Sequence, residues 1–146
     1  MDLQQIERFC AYRERCRFEV IQKLQKLSVP RPEINRILKR LQDEGFLDDQ
    51  RFAHAFVMGK FHNNQWGRYK IRNELRNRQI PDSIIDAALK EIEEEAYLQT
   101  IGELIRKKRK EIKTGKSFNF REKIITFVTG KGFETDLVLA MIKETG

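Results

Sequence analysis

Residues 71–89 read IRNELRNRQIPDSIIDAAL, and the chain carries this apolar pattern three times. The pattern is carried by Ile71, Leu75, Ile80, Ile85, Ala88 and Leu89. Moving back 51 places lands on Val20, Leu24, Val29, Ile34, Ile37 and Leu38, and moving forward 53 places lands on Ile124, Val128, Phe133, Val138, Met141 and Ile142. No gap is needed inside the unit. Ile71 and Leu75 share one helical face, as do Ile85, Ala88 and Leu89, and Pro81-Asp82 between them is a helix-start signal. Each copy therefore reads helix, short turn, helix. Repetition at this period marks a tandem array of small helical modules, in which each stripe is buried only with help from neighbours.

Working outward, each copy gains a further helix. Leu3, Ile6, Phe9, Cys10 and Tyr12 give helical spacing over 2–15, ahead of helices at 17–27 and 32–44. Phe52, Ala53, Phe56 and Val57 form the inner face of a helix over about 49–62, followed by helix 67–78 and the helix opened by Pro81 and Asp82. That last helix either continues or breaks near Glu93-Glu94-Glu95, before a helix through Tyr97, Leu98, Ile101, Leu104 and Ile105. Thr114–Ser117 reads as a loop, and helices 119–129 and 135–144 end the chain. Gly45 is placed to stop a helix in the left-handed conformation, and Asp48 or Asp49 to cap the next. Sustained period-two alternation is absent, so no sheet is expected. The expected fold is all-α: an elongated, curved array of three three-helix repeats over 1–48, 49–95 and 96–146.

Composition narrows the function. Ten Phe and one Trp in a chain that is 35% charged suit a folded protein better than a disordered one. The apolar runs are too short for a membrane span, and the N-terminus lacks the basic and apolar regions of a signal peptide, which places the chain in the cytoplasm. Cys10 and Cys16, six apart in one helical segment with no His pair to help, read as reduced thiols rather than metal ligands. Glycine-rich phosphate loops, His-Glu-x-x-His and Gly-x-Ser-x-Gly are all missing, and His54 and His62 lack an orienting partner at useful spacing. A catalytic residue, a metal or a cofactor is therefore not expected. The net charge is +7, and residues 101–146 hold most of it, with eleven Lys/Arg against six Asp/Glu. Such an excess suits a polyanion or an acidic protein surface.

Two basic stretches stand out. In 66–78, Arg68, Arg72 and Arg76 recur every fourth residue along one helix edge, and Lys70 and Arg78 widen it, while Ile71 and Leu75 turn the other way. Trp66-Gly67 stands just before, with Gly67 allowing a close backbone approach. A helix start with outward N–H groups beside such side chains can hold phosphates or an acidic loop; the plainer alternative is a solvated face with Glu74 as partner. The second stretch is Arg106-Lys107-Lys108-Arg109-Lys110, continued by Lys113 and Lys116. Arg106, Arg109, Lys110 and Lys113 share a helical face. The block Gly45–Ala53 is explained locally, with Arg51 free to pair with Asp48 or Asp49. Helices 17–27 and 32–44 also admit a helix-turn-helix reading, an autonomous DNA-binding protein, although the second helix has only Arg36 and Gln42 as base readers and a nearly balanced charge.

At these residues the chain resembles the RecX family of recombinase regulators. The resemblance rests on Gly45-Phe46-Leu47-Asp48-Asp49-Gln50-Arg51-Phe52-Ala53, then Gly67-Arg68-Tyr69-Lys70-Ile71-Arg72-Asn73-Glu74-Leu75, then Ile80 and the Ile84–Leu89 helix, and finally Lys131-Gly132-Phe133. Order and spacing agree over about 17–142. The family usually has glycine where this chain has Gln79, so that helix end must close without the easiest left-handed residue. The resemblance implies tandem three-helix repeats. It also implies binding to the RecA recombinase, chiefly as its filament on single-stranded DNA, with damping of ATP hydrolysis, strand exchange and co-protease activity. The expected partners are then the RecA filament and, weakly and without sequence preference, single-stranded DNA, met by a monomer. Trp66, Arg68, Lys70, Arg72 and Arg76, with the 106–110 run, are the expected contact residues.

Overall fold

The computed structural model describes residues 2–112 and 119–144. Among them are nine helices and no strand: α1 Leu3–Tyr12, α2 Arg17–Lys26, α3 Arg31–Asp43, α4 Asp49–Asn64, α5 Arg68–Asn77, α6 Asp82–Leu89, α7 Glu94–Glu111, α8 Phe120–Gly130 and α9 Thr135–Glu144. The helix does not continue: the break falls over 90–93, since α6 ends at Leu89 and Glu93 precedes α7 as its N-cap, with Glu94 and Glu95 already helical. The loop expected at Thr114–Ser117 lies outside the described residues, as do Lys113 and Lys116. None of the described helices is long and apolar enough to cross a membrane.

The repeat is visible in the burial. All six positions of the 71–89 pattern are buried, as are five of the six earlier equivalents and five of the six later ones, with Val29 and Met141 half-buried. It is equally visible in the turns. Ser28, Gln79 and Gly132 occupy equivalent positions and all have positive φ, at 60°, 58° and 102°. Their amides donate to equivalent carbonyls: Ser28 to Gln25 at 3.0 Å, Gln79 to Arg76 at 2.9 Å and Gly132 to Thr129 at 2.9 Å. The next amide reaches back further, Val29 to Leu24 and Ile80 to Leu75, both at 3.1 Å. This left-handed closure satisfies carbonyls that a helix end leaves open and aims the following apolar residue inward.

The chain divides into two compact units, Met1–Phe56 with Leu75–Ala88, and Val57–Glu74 with Leu89–Gly146. The first unit is built on Ile6, Cys10, Val20, Leu24, Ile34, Ile37, Leu38, Leu41 and Leu47. Gly45 has φ +80°, as its helix-stopping place requires. Asp48 caps α4, its carboxylate accepting from the amides of Gln50 and Arg51 at 3.0 and 3.1 Å. Asp49 instead accepts from the amide of Arg17 at 2.9 Å, at the start of α2. Arg51 pairs with neither aspartate: its Nε donates to Glu14 at 2.6 and 2.7 Å and its Nη2 to the Gly45 carbonyl at 3.0 Å. The expected local pairing gives way to one 37 residues distant in sequence, because Asp48 and Asp49 are already engaged by backbone amides. Cys10 and Cys16 are free thiols and buried, and burial pushes the Cys16 pKa up to about 11.

The second unit holds α7, α8 and α9, which pack pairwise on one another. Tyr97, Ile101, Leu104 and Ile105 of α7, Ile124 and Val128 of α8, and Val138 and Ile142 of α9 are buried where these helices pack. The Tyr97 ring lies between Phe61 and Phe133, with centroids 5.9 and 5.1 Å away.

Candidate nucleic-acid interface

Two of the blocks quoted above, 67–75 and 131–133, meet in the second unit. The Gly67 amide donates to the Lys131 carbonyl at 2.8 Å and the Tyr69 amide to the Gly132 carbonyl at 3.0 Å. Backbone lies against backbone here. A Cβ on Gly67 would stand 2.3 Å from the Gly132 carbonyl carbon, and one on Gly132 would stand 2.6 Å from the Lys70 amide nitrogen and 2.5 Å from its Cβ. Both glycines are required by this approach, and Gly132 also by its φ.

Between those two bonds, the Arg68 amide donates to the Tyr97 hydroxyl at 2.9 Å. The amides of residues 67, 68 and 69 thus all have partners within the protein, which corrects the expectation that the start of α5 offers open N–H groups to an anion. The Arg68 side chain turns inward as well. Its Nη1 donates to Glu134 at 2.7 Å and its Nη2 to Glu94 at 2.6 Å, and its guanidinium lies 3.8 Å from the Tyr97 ring centroid. The Tyr97 hydroxyl donates to the other Glu134 oxygen. Burial alone would lower the Arg68 pKa, but the bond and charge of Glu134 outweigh it and raise it. Burial pushes the Tyr97 hydroxyl far above its ordinary value. Arg68 therefore joins the starts of α5, α7 and α9, and its charge is matched by two carboxylates.

The remaining basic positions divide in the same way. Arg76, in the first unit, is exposed but pairs with Asp82 at 2.9 and 3.2 Å. Arg72 is half-buried and engaged, as is Glu74. The edge formed by 68, 72 and 76 is thus not a row of equivalent free cations. In α7, Arg109 donates to the Ile142 carbonyl at 3.3 Å, at the end of α9 where cations are favoured. Lys108 pairs with Glu111 at 3.5 Å, and its ammonium stands 4.8 Å from the Phe127 ring centroid. Arg106, Lys107 and Lys110 are exposed. The outward side of α3, which a helix-turn-helix reading needs as its reader, neutralises itself through Lys39–Asp43 and Arg40–Glu44 pairs.

What sequence reasoning kept apart, the fold joins. The bonds from Gly67 and Tyr69 bring Lys70 beside the 131–132 turn, and Lys131 carries the two basic stretches together. Lys131 is half-buried, and burial lowers its pKa, with the charges of Lys107 and Lys70 adding to the effect. Trp66 is flanked by the ammonium groups of Lys70 and Lys60 at 4.5 and 4.8 Å, and Phe127 by Lys108 and, at 6.0 Å, Lys131. Tyr69, next to Lys70, has 58% of its surface exposed. No described carboxylate pairs with Lys70, Lys107 or Lys131. The described residues contain no group of His, Cys, Asp and Glu that could hold a metal ion. Lys131, Lys60, Phe127 and Tyr69 were not legible as site residues. For Lys131 a signal existed, because it adjoins a glycine that must meet Gly67; for the others periodicity offers none.

Fold and site together define an all-helical protein of tandem three-helix modules whose conspicuous surface is cationic and aromatic. Residues 4–41 match the model of the first three-helix domain of RecX, and residues 48–89 that of the second. The regulatory protein RecX of Chlorobium phaeobacteroides (strain BS1) is 31% identical over 128 residues, spanning 88% of this chain and 82% of its own length. That of Halorhodospira halophila (strain DSM 244 / SL1) is 33% identical, spanning 91% and 81%. The chain belongs to the RecX family. It spans about half the length of some relatives, such as the regulatory protein RecX of Geobacillus kaustophilus (strain HTA426), 29% identical over 98% of this chain and 53% of its own. The crystal structure of RecX from Lactobacillus salivarius shares the fold, with a TM-score of 0.88 over 98% of this chain and 93% of that one at 24% identity.

Proposed function

We propose that this chain regulates the RecA recombinase by binding its filament on single-stranded DNA, damping ATP hydrolysis, strand exchange and co-protease activity. Membership of a family of regulatory proteins supports the reading. The observation that carries it at the level of the site is the gathering of Lys70, Lys107 and Lys131, without described carboxylate partners, beside Trp66 and Phe127. Like charges placed together weaken a fold unless an anion meets them, so this cluster is accounted for by what it binds. Trp66, Lys70 and Arg72 with Arg106, Lys107, Lys108 and Lys110 form the contact surface. Arg68 and Arg109 hold that surface in place, and Arg76 contributes less because Asp82 already pairs with it. Regulation is by binding, without a catalytic residue or cofactor, and the three repeats let a monomer gain avidity on a partner that itself repeats.

Retention on immobilised oligonucleotide tests this. Beads carrying single-stranded DNA coated with RecA and a slowly hydrolysed nucleotide should retain the chain at salt concentrations that release it from bare DNA. Equal retention on bare and coated beads would instead make the chain an independent DNA binder.

A further inference from the structure

The cluster in the second unit can be assigned a ligand more closely. Three observations bear on it. The Gly67 and Tyr69 bonds bring Lys70 of α5 beside the α8–α9 turn, Lys131 in that turn shares the Phe127 ring with Lys108 of α7, and half-buried Lys131 feels the charges of both Lys70 and Lys107. Of the acidic groups on the same elements, Glu94 and Glu134 pair with Arg68 and Glu111 with Lys108, Glu74 is engaged, and Glu103 lies one turn before Lys107. Tyr69 is exposed beside Lys70, fixed at its backbone by the Gly132 carbonyl, and does not belong to the core. Lysine presents a point charge suited to phosphate, whereas paired recognition of carboxylates is the strength of the arginine fork. An exposed ring beside phosphate-binding cations is the combination by which single strands are held, the ring stacking on an unpaired base.

We propose that Lys70, Lys107 and Lys131 seat successive phosphates of a single nucleic-acid strand, with the exposed Tyr69 ring stacking on one of its bases. The site deepens the filament reading and rests on it for its biological setting. The strand engages through phosphate and a ring face, so it is bound without sequence preference, and a duplex, whose bases are already stacked, gains only the phosphate part. Trp66 is the chain's only tryptophan and is touched by Lys70, so it reports on the site.

The test is a titration of Trp66 emission in the whole chain with a thymidine oligomer of about 16 nucleotides, repeated across a salt series without any recombinase. The oligomer should change the emission in the parent. Lys131→Gln should lower the slope of log affinity against log salt by about 0.7, the value for one phosphate contact on a single strand. Tyr69→Ala should weaken binding about tenfold while leaving the slope and the melting temperature unchanged. A hairpin duplex with the same number of phosphates should bind more weakly than the oligomer. Parent-like affinity and slope in both variants would overturn the assignment, as would polyglutamate or the duplex matching the oligomer. The filament reading fails separately: strand binding as described, with no effect on a cognate recombinase, would sink that reading and leave this site standing.

Discussion

Arg68 carries a positive charge that the protein itself consumes. Glu94, Glu134 and the Tyr97 ring and hydroxyl surround it, and 23% of its side chain remains exposed. Replacing it with Met should cost about 2–3 kcal/mol, because Glu134 and Glu94 are left without their cation, measured by urea unfolding. Arg68→Lys should recover only part of this loss, since one ammonium cannot reach both carboxylates and stack as well. The two facing glycines give a sharper prediction. Gly67→Ala should cost about 3 kcal/mol, because its Cβ meets backbone that cannot step aside. Gly45→Ala should cost only about 1 kcal/mol, since its φ is +80° but nothing lies within 4 Å of the added atom. Sequence alone marked Gly67 as a place for close approach. It could not show that Gly132 was the other side, because contact between residues 65 positions apart leaves no periodic trace.

At the scale of elements, most helix limits and inward faces were legible where apolar spacing agrees with Pro, Gly and Asp punctuation; whether α6 ran on into α7 stayed open, and Tyr12, on the apolar spacing of the first helix, ends α1 and is exposed. The turns were legible in part. Gln79 was marked as closing a helix end without glycine, and the structure gives it φ 58°. Ser28 does the same at 60°, and its serine gave no warning. Gln79→Gly should therefore raise stability by about 0.5–1 kcal/mol, read as a higher denaturant midpoint at unchanged slope. The start of α5 was misread, since an isolated helix start has open amides and only tertiary structure supplies the Lys131 and Gly132 carbonyls and the Tyr97 hydroxyl. Cys10 and Cys16 stayed legible as ordinary thiols. Being buried, with pKa values raised by burial, they should react with a disulfide reagent at neutral pH only as fast as the fold opens, and promptly in denaturant.

For the molecule as a whole, the threefold pattern of residues 71–89 carried most of the fold, because a module that cannot bury its stripe alone writes the same requirement wherever it recurs. The site was less legible. Its cations come from three stretches of chain, and sequence charge could not separate Arg68 and Arg109, bound internally, from Lys70 and Lys107, directed to the surface cluster. The direct measurement is ATP hydrolysis by a cognate RecA on single-stranded DNA as this chain is titrated in, beside a folded variant carrying Gln at Lys70, Lys107 and Lys131. A chain that acts on the recombinase filament should inhibit at fewer than one chain per RecA, and the variant should inhibit clearly less. Undiminished hydrolysis at excess parent chain would contradict that action.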